Sequence, residues 1–487
     1  MLKSSLLEII RTFTKQELIK FEDFVRSPYF NKKENVVKLF LEIKKYSPEL
    51  SDEDLEKEKV WDRLFPGQKY NYGIMKNLIF DLNKVAERFL HIQNYESKIF
   101  EQDINLLEKM NEKGLSRQYE KNLKSFRNET DKTTFDQNYF YYKYLAEVKE
   151  HAFLFSNNAR IKDKNFCNPE NMNEYLIAFF LINFFIKNYD FLHESQFYDK
   201  PVDTSVLETV CNFFENTTLR KNEFVLIYYY TLKIIMDLND VESFGRLKEL
   251  MNKNFKQFSH EEKFNIHLAM VNFCNIKMMK GSPSFMEELF AIYKKMVENG
   301  FYSSDKDGYI NSSMYANIVS TAGNLREFGW AERFLLNFKN KLHVSEKELY
   351  FALANATLNI KKRNFNEALG NLSKCKSTNP FVKITIKRFQ IVIYYELGYF
   401  EELDSLLDSC KHFISNDKIV TDSAKHIFSS FINMVQRMAE LKSGNHKKDK
   451  EFILQTLKDE TQKNNATNKI WILEKLAELE KQIAFIA

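Results

Sequence analysis

Glycine and proline are scarce in this sequence: its 487 residues include 12 Gly and 7 Pro, well below the average usage of roughly 7% and 5%. Glycine supplies the positive φ of tight β-hairpins and phosphate-binding loops, and proline marks loops. A chain poor in both has few hairpins and short connections. We therefore expect an all-α fold of long helices joined by brief turns, and neither a β-sandwich nor a doubly wound sheet.

Signatures of catalysis and of cofactor binding are also missing. The chain has no G-x-G-x-x-G, no G-x-x-x-x-G-K and no G-x-S-x-G, which excludes the common dinucleotide, phosphate-loop and nucleophile-elbow sites. None of the nine histidines forms H-E-x-x-H, and His260 and His267 fit a helix cap and a packed side chain better than a metal pair. We expect no cofactor, no metal, no evident small-molecule site and no enzyme activity.

The five cysteines give no disulfide framework. No two of them lie closer than the 35 residues between Cys375 and Cys410, so no Cys-x-x-Cys pair exists. The most apolar stretch, Tyr175 to Ile186, has twelve residues, whereas a bilayer takes about 20. Glu8 interrupts the apolar N-terminus, which argues against a signal peptide. We expect a cytoplasmic protein without a membrane span.

The pattern of helices and turns predicts four parts: an N-terminal helical module at 1–95, irregular helical pairs at 96–240, repeats at 241–440 and C-terminal capping helices at 441–487. Capping boxes, in which a Ser or Thr side chain and a Glu three residues later satisfy free N–H groups, are predicted to open helices at Thr14, Ser259 and Ser345.

Three consecutive segments share one spacing of apolar residues. An aromatic residue is followed at three, seven and ten residues by further apolar side chains, and the aromatic residues lie 37 and 35 residues apart. The three sets are Phe328, Ala331, Leu335 and Phe338; Phe365, Ala368, Leu372 and Cys375; and Phe400, Leu403, Leu407 and Cys410. The second set ends at Pro380.

This spacing resembles that of tetratricopeptide repeats, helix–turn–helix units of about 34 residues. The resemblance implies stacked antiparallel helix pairs forming a superhelix, an α-solenoid, in which neighbouring pairs bury each other's apolar faces. It also implies a partner bound on the concave face formed by the first helix of each pair. On that register, the predicted partner-binding residues are Tyr350, Thr357, Lys361, Thr385, Arg388, Val392 and Tyr395.

The family's two-carboxylate clamp for peptide C-termini is not matched on the same register. Ala316 and Leu353 stand where the clamp has lysine, and Ser320 and Thr357 stand where it has asparagine. The sequence therefore does not predict binding of chaperone tails in that manner.

A cluster of basic residues overlaps the second repeat segment and extends towards the third. Between Ala356 and Tyr395 the only acidic residue is Glu367. The basic patch comprises Lys361, Lys362, Arg363, Lys374, Lys376, Lys383, Lys387 and Arg388. Either adjacent repeats pair their charges, which we favour, or the patch faces an acidic peptide or RNA. The net charge of the whole chain, +4, argues against a surface built throughout for nucleic acid.

Two further resemblances concern the N-terminal module. Residues 59–90 resemble the helix-turn-helix of winged-helix regulators, in which Lys76, Asn77 and Lys84 would face a DNA groove. The segments at 27–31 and 64–67 resemble those of uncharacterised bacterial helical-repeat proteins, which implies no activity. The expected function is a scaffold that binds a protein partner; the alternative is a nucleic-acid-binding or transcription-regulatory protein.

Overall fold

The computed structural model describes residues 5–47, 50, 55–156, 169–195, 203–304, 308–443, 450–463 and 468–486. The chain divides into two compact units. Unit 1 consists of Met1–Thr133 and Tyr141–Asn173, and unit 2 of Thr134–Phe140 and Glu174–Ala487. The four-part division given above stays a prediction.

The described residues form 23 α-helices and no β-strand, which confirms the all-α prediction. The first nine are α1 Ser5–Arg11, α2 Lys15–Arg26, α3 Glu34–Lys44, α4 Lys57–Leu64, α5 Tyr72–Ser97, α6 Ile99–Glu112, α7 Ser116–Lys132, α8 Tyr139–Ser156 and α9 Pro169–Ser195. The next seven are α10 Ser205–Glu215, α11 Glu223–Met236, α12 Val241–Asn254, α13 His260–Met279, α14 Phe285–Glu298, α15 Ser312–Asn324 and α16 Phe328–Phe338. The last seven are α17 Lys347–Lys361, α18 Phe365–Leu372, α19 Pro380–Leu397, α20 Phe400–Asn416, α21 Asp422–Ser443, α22 Lys450–Lys463 and α23 Lys469–Ile486.

The core of unit 1 is built on phenylalanine. Phe21 of α2 is fully buried and its ring lies 5.3, 4.8 and 5.1 Å from the rings of Phe13, Phe40 and Phe89. Such aromatic contacts add to the free energy of burial. The predicted capping box at Thr14 is present, since Thr14 accepts from Glu17 N and Glu17 accepts from Thr14 N. These contacts hold α2, α3 and α5 together.

In unit 2, the second half of the chain is a run of helix pairs. α15 contacts α16, α17 contacts α18, and α19 contacts α20; in addition, α17 contacts both α15 and α19. The second helices of these pairs begin at Phe328, Phe365 and Phe400, the three aromatic residues of the sequence pattern. The residues three and seven positions later are all buried: Ala331, Leu335, Ala368, Leu372, Leu403 and Leu407.

A left-handed residue ends the first helix of each of these three pairs. Arg326, Arg363 and Gly398 have φ of 61°, 63° and 75°, and each stands two residues before the aromatic residue that opens the second helix. A left-handed residue after a helix satisfies its last carbonyl groups and redirects the chain. Only glycine adopts this backbone without strain, so two of the three turns carry a strained arginine.

We predict opposite effects of substitution at two of these turns. Gly398→Ala should lower the free energy of unfolding by about 1 kcal/mol because alanine is strained at positive φ. Arg326→Gly should raise it, by less than about 1 kcal/mol, since glycine also increases the entropy of the unfolded chain. Chemical denaturation measures both. Arg326→Ala, which removes the exposed side chain but keeps the Cβ, is the control and should not stabilise the protein.

The other two predicted capping boxes have different outcomes. Ser259 caps α13, because its hydroxyl accepts from Glu262 N at 3.2 Å, but the Glu262 carboxylate accepts from Tyr228 Oη instead of completing the box. Ser345 does not cap α17, which begins at Lys347 without a side-chain cap. The hydroxyl of Ser345 instead contacts Nδ1 of His343 at 2.7 Å. The prediction at Ser345 is therefore wrong, because a nearer side chain competes for the hydroxyl.

His267 is a packed histidine of α13, 2% exposed, whose Nδ1 donates to Lys263 O at 2.7 Å. Phe301 lies 4.8 Å from its ring. Burial, followed by the charge of Lys295, lowers the pKa of His267 to about 4. The unfolded chain, in which histidine titrates near 6.5, therefore takes up a proton first as the pH falls.

The protein should consequently lose stability through His267 as the pH falls from about 6.5 towards 4. The stability advantage of the wild type over His267→Asn should shrink by about 2–3 kcal/mol between pH 7.5 and 4.5. Unfolding curves across this range test it, with His343→Asn, at an exposed position, as the control. Parallel pH profiles for the wild type and His267→Asn would contradict the assignment.

Helix α9 contains the apolar stretch noted in the sequence but is much longer. Ala178, Leu181, Ile182 and Phe185 form its buried face, whereas Phe180 on the other side is 50% exposed. Among the described residues it is the one helix long and apolar enough to cross a membrane by length and composition. Core helices of soluble proteins pass the same test, so this finding does not establish a span. The absence of a membrane span stays a prediction.

Candidate functional site

A cavity of about 410 Å³ lies between helices of the second half of unit 2. This volume is within the range of ligand-binding clefts. Its walls come from α15, α17, α19 and the start of α23. From α15 and α17 the lining residues are Ser313, Ala316, Asn317, Ser320, Tyr350, Leu353, Thr357, Ile360 and Lys361. From α19, α23 and the residues that cap them they are Asn379, Phe381, Val382, Thr385, Arg388, Phe389, Val392, Asn468 and Trp471.

The spacing of the lining residues shows that each helix presents one face. On α17 the intervals from Tyr350 to Ile360 are three or four residues, the period of a helical face. The four positions of the unmatched carboxylate clamp all line the cavity, yet none carries a charge or an amide. The floor is well packed, because Leu353, Thr357 and Val392 are less than 9% exposed.

A close approach between α15 and α17 shapes one side of the cavity. A Cβ atom added to Gly323 of α15 would lie 3.0 Å from Cγ of Lys361. The glycine therefore leaves room for the aliphatic part of Lys361, a residue of the cavity lining. The position of Lys361 thus depends on a residue outside the cavity.

Helix α23 is held against α19 by a buried polar network. Trp471 Nε1 donates to Glu396 Oε1 at 2.7 Å, and Lys475 Nζ lies 3.0 Å from the same carboxylate. The Lys475 side chain is 3% exposed and that of Glu396 is 12% exposed. Burial alone would lower the pKa of Lys475, but its hydrogen bonds to Glu478 and Glu396 outweigh burial and raise it.

Removing the charge of Lys475 should release α23. Lys475→Met leaves the Glu396 carboxylate buried without its cation, which should cost about 3 kcal/mol of unfolding free energy. The matched control is Arg363→Gln, since Arg363 pairs with Glu474 of the same helix but the two side chains are 63% and 45% exposed. Its loss should cost less than about 1 kcal/mol. Equal costs in urea denaturation would show that the buried pair does not hold α23.

Two cations, Lys361 and Arg388, line the cavity from adjacent helices. Burial lowers the pKa of Arg388. Burial also lowers the pKa of Lys361, the charge of Arg388 lowers it further, and Glu474 partly opposes both. Nε of Arg388 is buried and has no hydrogen-bond partner among the described residues. Its guanidinium lies 5.2 Å from the ring of Phe389.

Six of the seven predicted partner-binding residues line this cavity: Tyr350, Thr357, Lys361, Thr385, Arg388 and Val392. Tyr395 does not, and its placement on the binding face is wrong. Its side chain is 1% exposed, and Trp471 of α23 packs edge-on against it at 5.4 Å. Thr385, Arg388 and Val392 of α19 thus share the cavity face, but a helix from much later in the chain covers Tyr395.

The basic patch is dispersed rather than continuous. Lys362 forms an ion pair with Glu332, Arg363 with Glu474, and Lys387 donates to Ser409. Lys374 and Lys376 are exposed and Lys383 is half-buried, while Lys361 and Arg388 line the cavity. Lys362 and Glu332 belong to adjacent helix pairs. Their ion pair is what we expect if adjacent repeats pair their charges.

The three residues of the N-terminal module that would face a DNA groove lie on α5. Lys76, Asn77 and Lys84 are exposed. Lys84 forms an ion pair with Glu87. The nearby Asp81 pairs with Lys33, so the surface there carries both signs of charge.

Asn468, Trp471 and Phe381 are among the cavity residues that the sequence interpretation missed. Asn468 and Trp471 lie about 70 residues beyond the end of α19, and no local pattern relates them to it. Phe381 follows the helix-opening Pro380 and is 47% exposed at the cavity. The position of Phe381 directly after a helix-opening proline was the one feature of the sequence that could have indicated it.

Comparison of the chain with protein-family models, with curated proteins and with solved structures gives no significant match. Within the described residues, no group of three or more His, Cys, Asp or Glu side chains is arranged to hold a metal ion.

Proposed function

We propose that this chain is a non-catalytic interaction scaffold that binds a segment of a protein partner in the cavity between α15, α17, α19 and α23. The observation that carries the proposal is the cavity itself. The first helices of three successive pairs, α15, α17 and α19, each line it with one face. Its lining combines aromatic side chains with several polar groups, the composition of sites that bind peptide segments.

We further propose that the helix pairs from Ser312 to Asn416 are stacked in a tetratricopeptide-like superhelix. Support comes from the shared positions of the opening aromatic residue and of the left-handed residue before it. The contacts of α17 with both α15 and α19 fit such a stack. In this arrangement the cavity lies on the side of the first helices, where a partner would bind.

The alternative, a nucleic-acid-binding protein, has less support. Phosphate recognition requires several cations on one accessible surface. Of the eight basic residues of the patch, two are held in ion pairs with acidic side chains and two line the cavity. The surface of α5 carries both signs of charge.

Removal of one aromatic side chain at the cavity should weaken partner binding. Phe381 is 47% exposed, so Phe381→Ala should fold normally. An aromatic anchor commonly contributes 2 kcal/mol or more to an interface, which corresponds to a loss of about tenfold or more. Affinity enrichment from the native cell extract, with quantitative mass spectrometry, should show at least one bound protein reduced by this variant.

The control is Leu336→Ala, which removes an apolar side chain that is 69% exposed on α16, outside the cavity. It should retain the same proteins as the wild type. Tyr395→Ala is unsuitable, because it would truncate a buried side chain. If nothing is captured specifically, or if Phe381→Ala and Leu336→Ala retain the same proteins equally, the proposal fails.

A further inference from the structure

The charges in the cavity indicate what part of a partner it takes. Lys361 and Arg388 come from adjacent helices and both belong to its lining. Each lowers the free energy of an anion placed between them, and their mutual repulsion is relieved when such an anion is bound. These two cations make this part of the cavity positive, which is complementary to an acidic group.

Arg388 is the more specific of the two cations. Its buried Nε has no hydrogen-bond acceptor among the described residues. A buried N–H group without an acceptor costs about 1–3 kcal/mol, and more when it is charged. Arginine presents its N–H groups in a planar fork that matches a carboxylate. A ligand carboxylate in the cavity would pair with the positive charge of this guanidinium.

The acidic side chain whose charge acts on Lys361 is already held in ion pairs with other residues. Glu474 raises the pKa of Lys361, but its own carboxylate is bound to Arg363 and lies 3.8 Å from Lys475. Two of the lining hydroxyls are used as well, since Thr357 donates to Leu353 O and Thr385 donates to Phe381 O. The two cations thus remain the strongest donors facing the cavity.

Aromatic side chains surround this positive centre. Tyr350, Phe381, Phe389 and Trp471 all line the cavity, and Phe381 is the most exposed of them to solvent. They provide surface for an apolar side chain next to the anion. A single small anion would leave this surface uncovered.

We infer that the cavity recognises an acidic side chain of an extended partner segment, flanked by an apolar residue, with its carboxylate between Lys361 and Arg388. The inference rests on the proposed function and adds the chemistry of the ligand. It differs from binding of a C-terminal carboxylate, because the clamp positions Ala316, Leu353, Ser320 and Thr357 hold no cation or amide.

The test uses the full chain and a phage library of random twelve-residue peptides that have no free C-terminus. Selected peptides should share an Asp or Glu next to an apolar residue. The best peptide is then synthesised with an acetylated N-terminus and an amidated C-terminus, and its binding is measured by fluorescence anisotropy. Changing its acidic residue to the corresponding amide should weaken binding about tenfold or more.

Lys361→Gln and Arg388→Gln should each cause a similar loss, and Arg388→Lys, which keeps the charge but not the fork, a partial one. Lys376→Gln makes the same charge change at an exposed position of the basic patch and should leave binding unchanged. Part of the Lys361 side chain remains accessible to solvent although it lines the cavity, so its variant remains informative if Arg388→Gln fails to fold. A thermal unfolding curve for each variant separates lost binding from lost folding.

Three outcomes would overturn the inference. Peptides that lack an acidic residue, or that bind Lys361→Gln and Arg388→Gln as well as the wild type but not Phe381→Ala, would disprove acidic recognition and leave the proposed scaffold function intact. Tighter binding of single-stranded RNA at the same residues, with a steep salt dependence, would favour the nucleic-acid alternative. Failure to select any peptide, together with no captured partner, would reject both proposals.

Discussion

The cavity depends on how closely α17 approaches α15. Helix axes come near one another only where side chains are small, and Gly323 supplies such a point opposite Lys361. Ala352, Ala354 and Ala356 of α17 are small and buried as well. With α17 so placed between α15 and α19, the faces of the three helices enclose one space. A larger residue at Gly323 would have to displace the stem of a lysine that lines it.

Much of this arrangement follows from local rules that the sequence displays. Scarce glycine and proline predict an all-helical chain, and the spacing of Phe328, Phe365 and Phe400 predicts where three second helices begin. The face of α17 that lines the cavity could also be predicted, because helical periodicity fixes which residues share a face. The same periodicity predicts that Lys361 and Arg388 lie on the same side of two neighbouring helices.

Features that depend on distant parts of the chain could not be predicted in this way. Tyr395 has the correct register for the cavity but is covered by Trp471, which lies 76 positions later in the sequence. The burial of Arg388 Nε depends on how four helices pack together, and no pattern within α19 indicates it. In each case tertiary contacts decide between alternatives that local sequence leaves equal.

The participation of α23 in the cavity has a consequence for synthesis of the protein. Ser313 and Trp471 line the same space but are separated by about 160 residues. At a translation rate of about 5–20 residues per second, the first wall is made some 10 to 30 s before the last. During that interval α15, α17 and α19 can pack on one another while Glu396 and Tyr395 still lack Lys475 and Trp471. The cavity is therefore completed late, when the growing chain has placed α23 against α19.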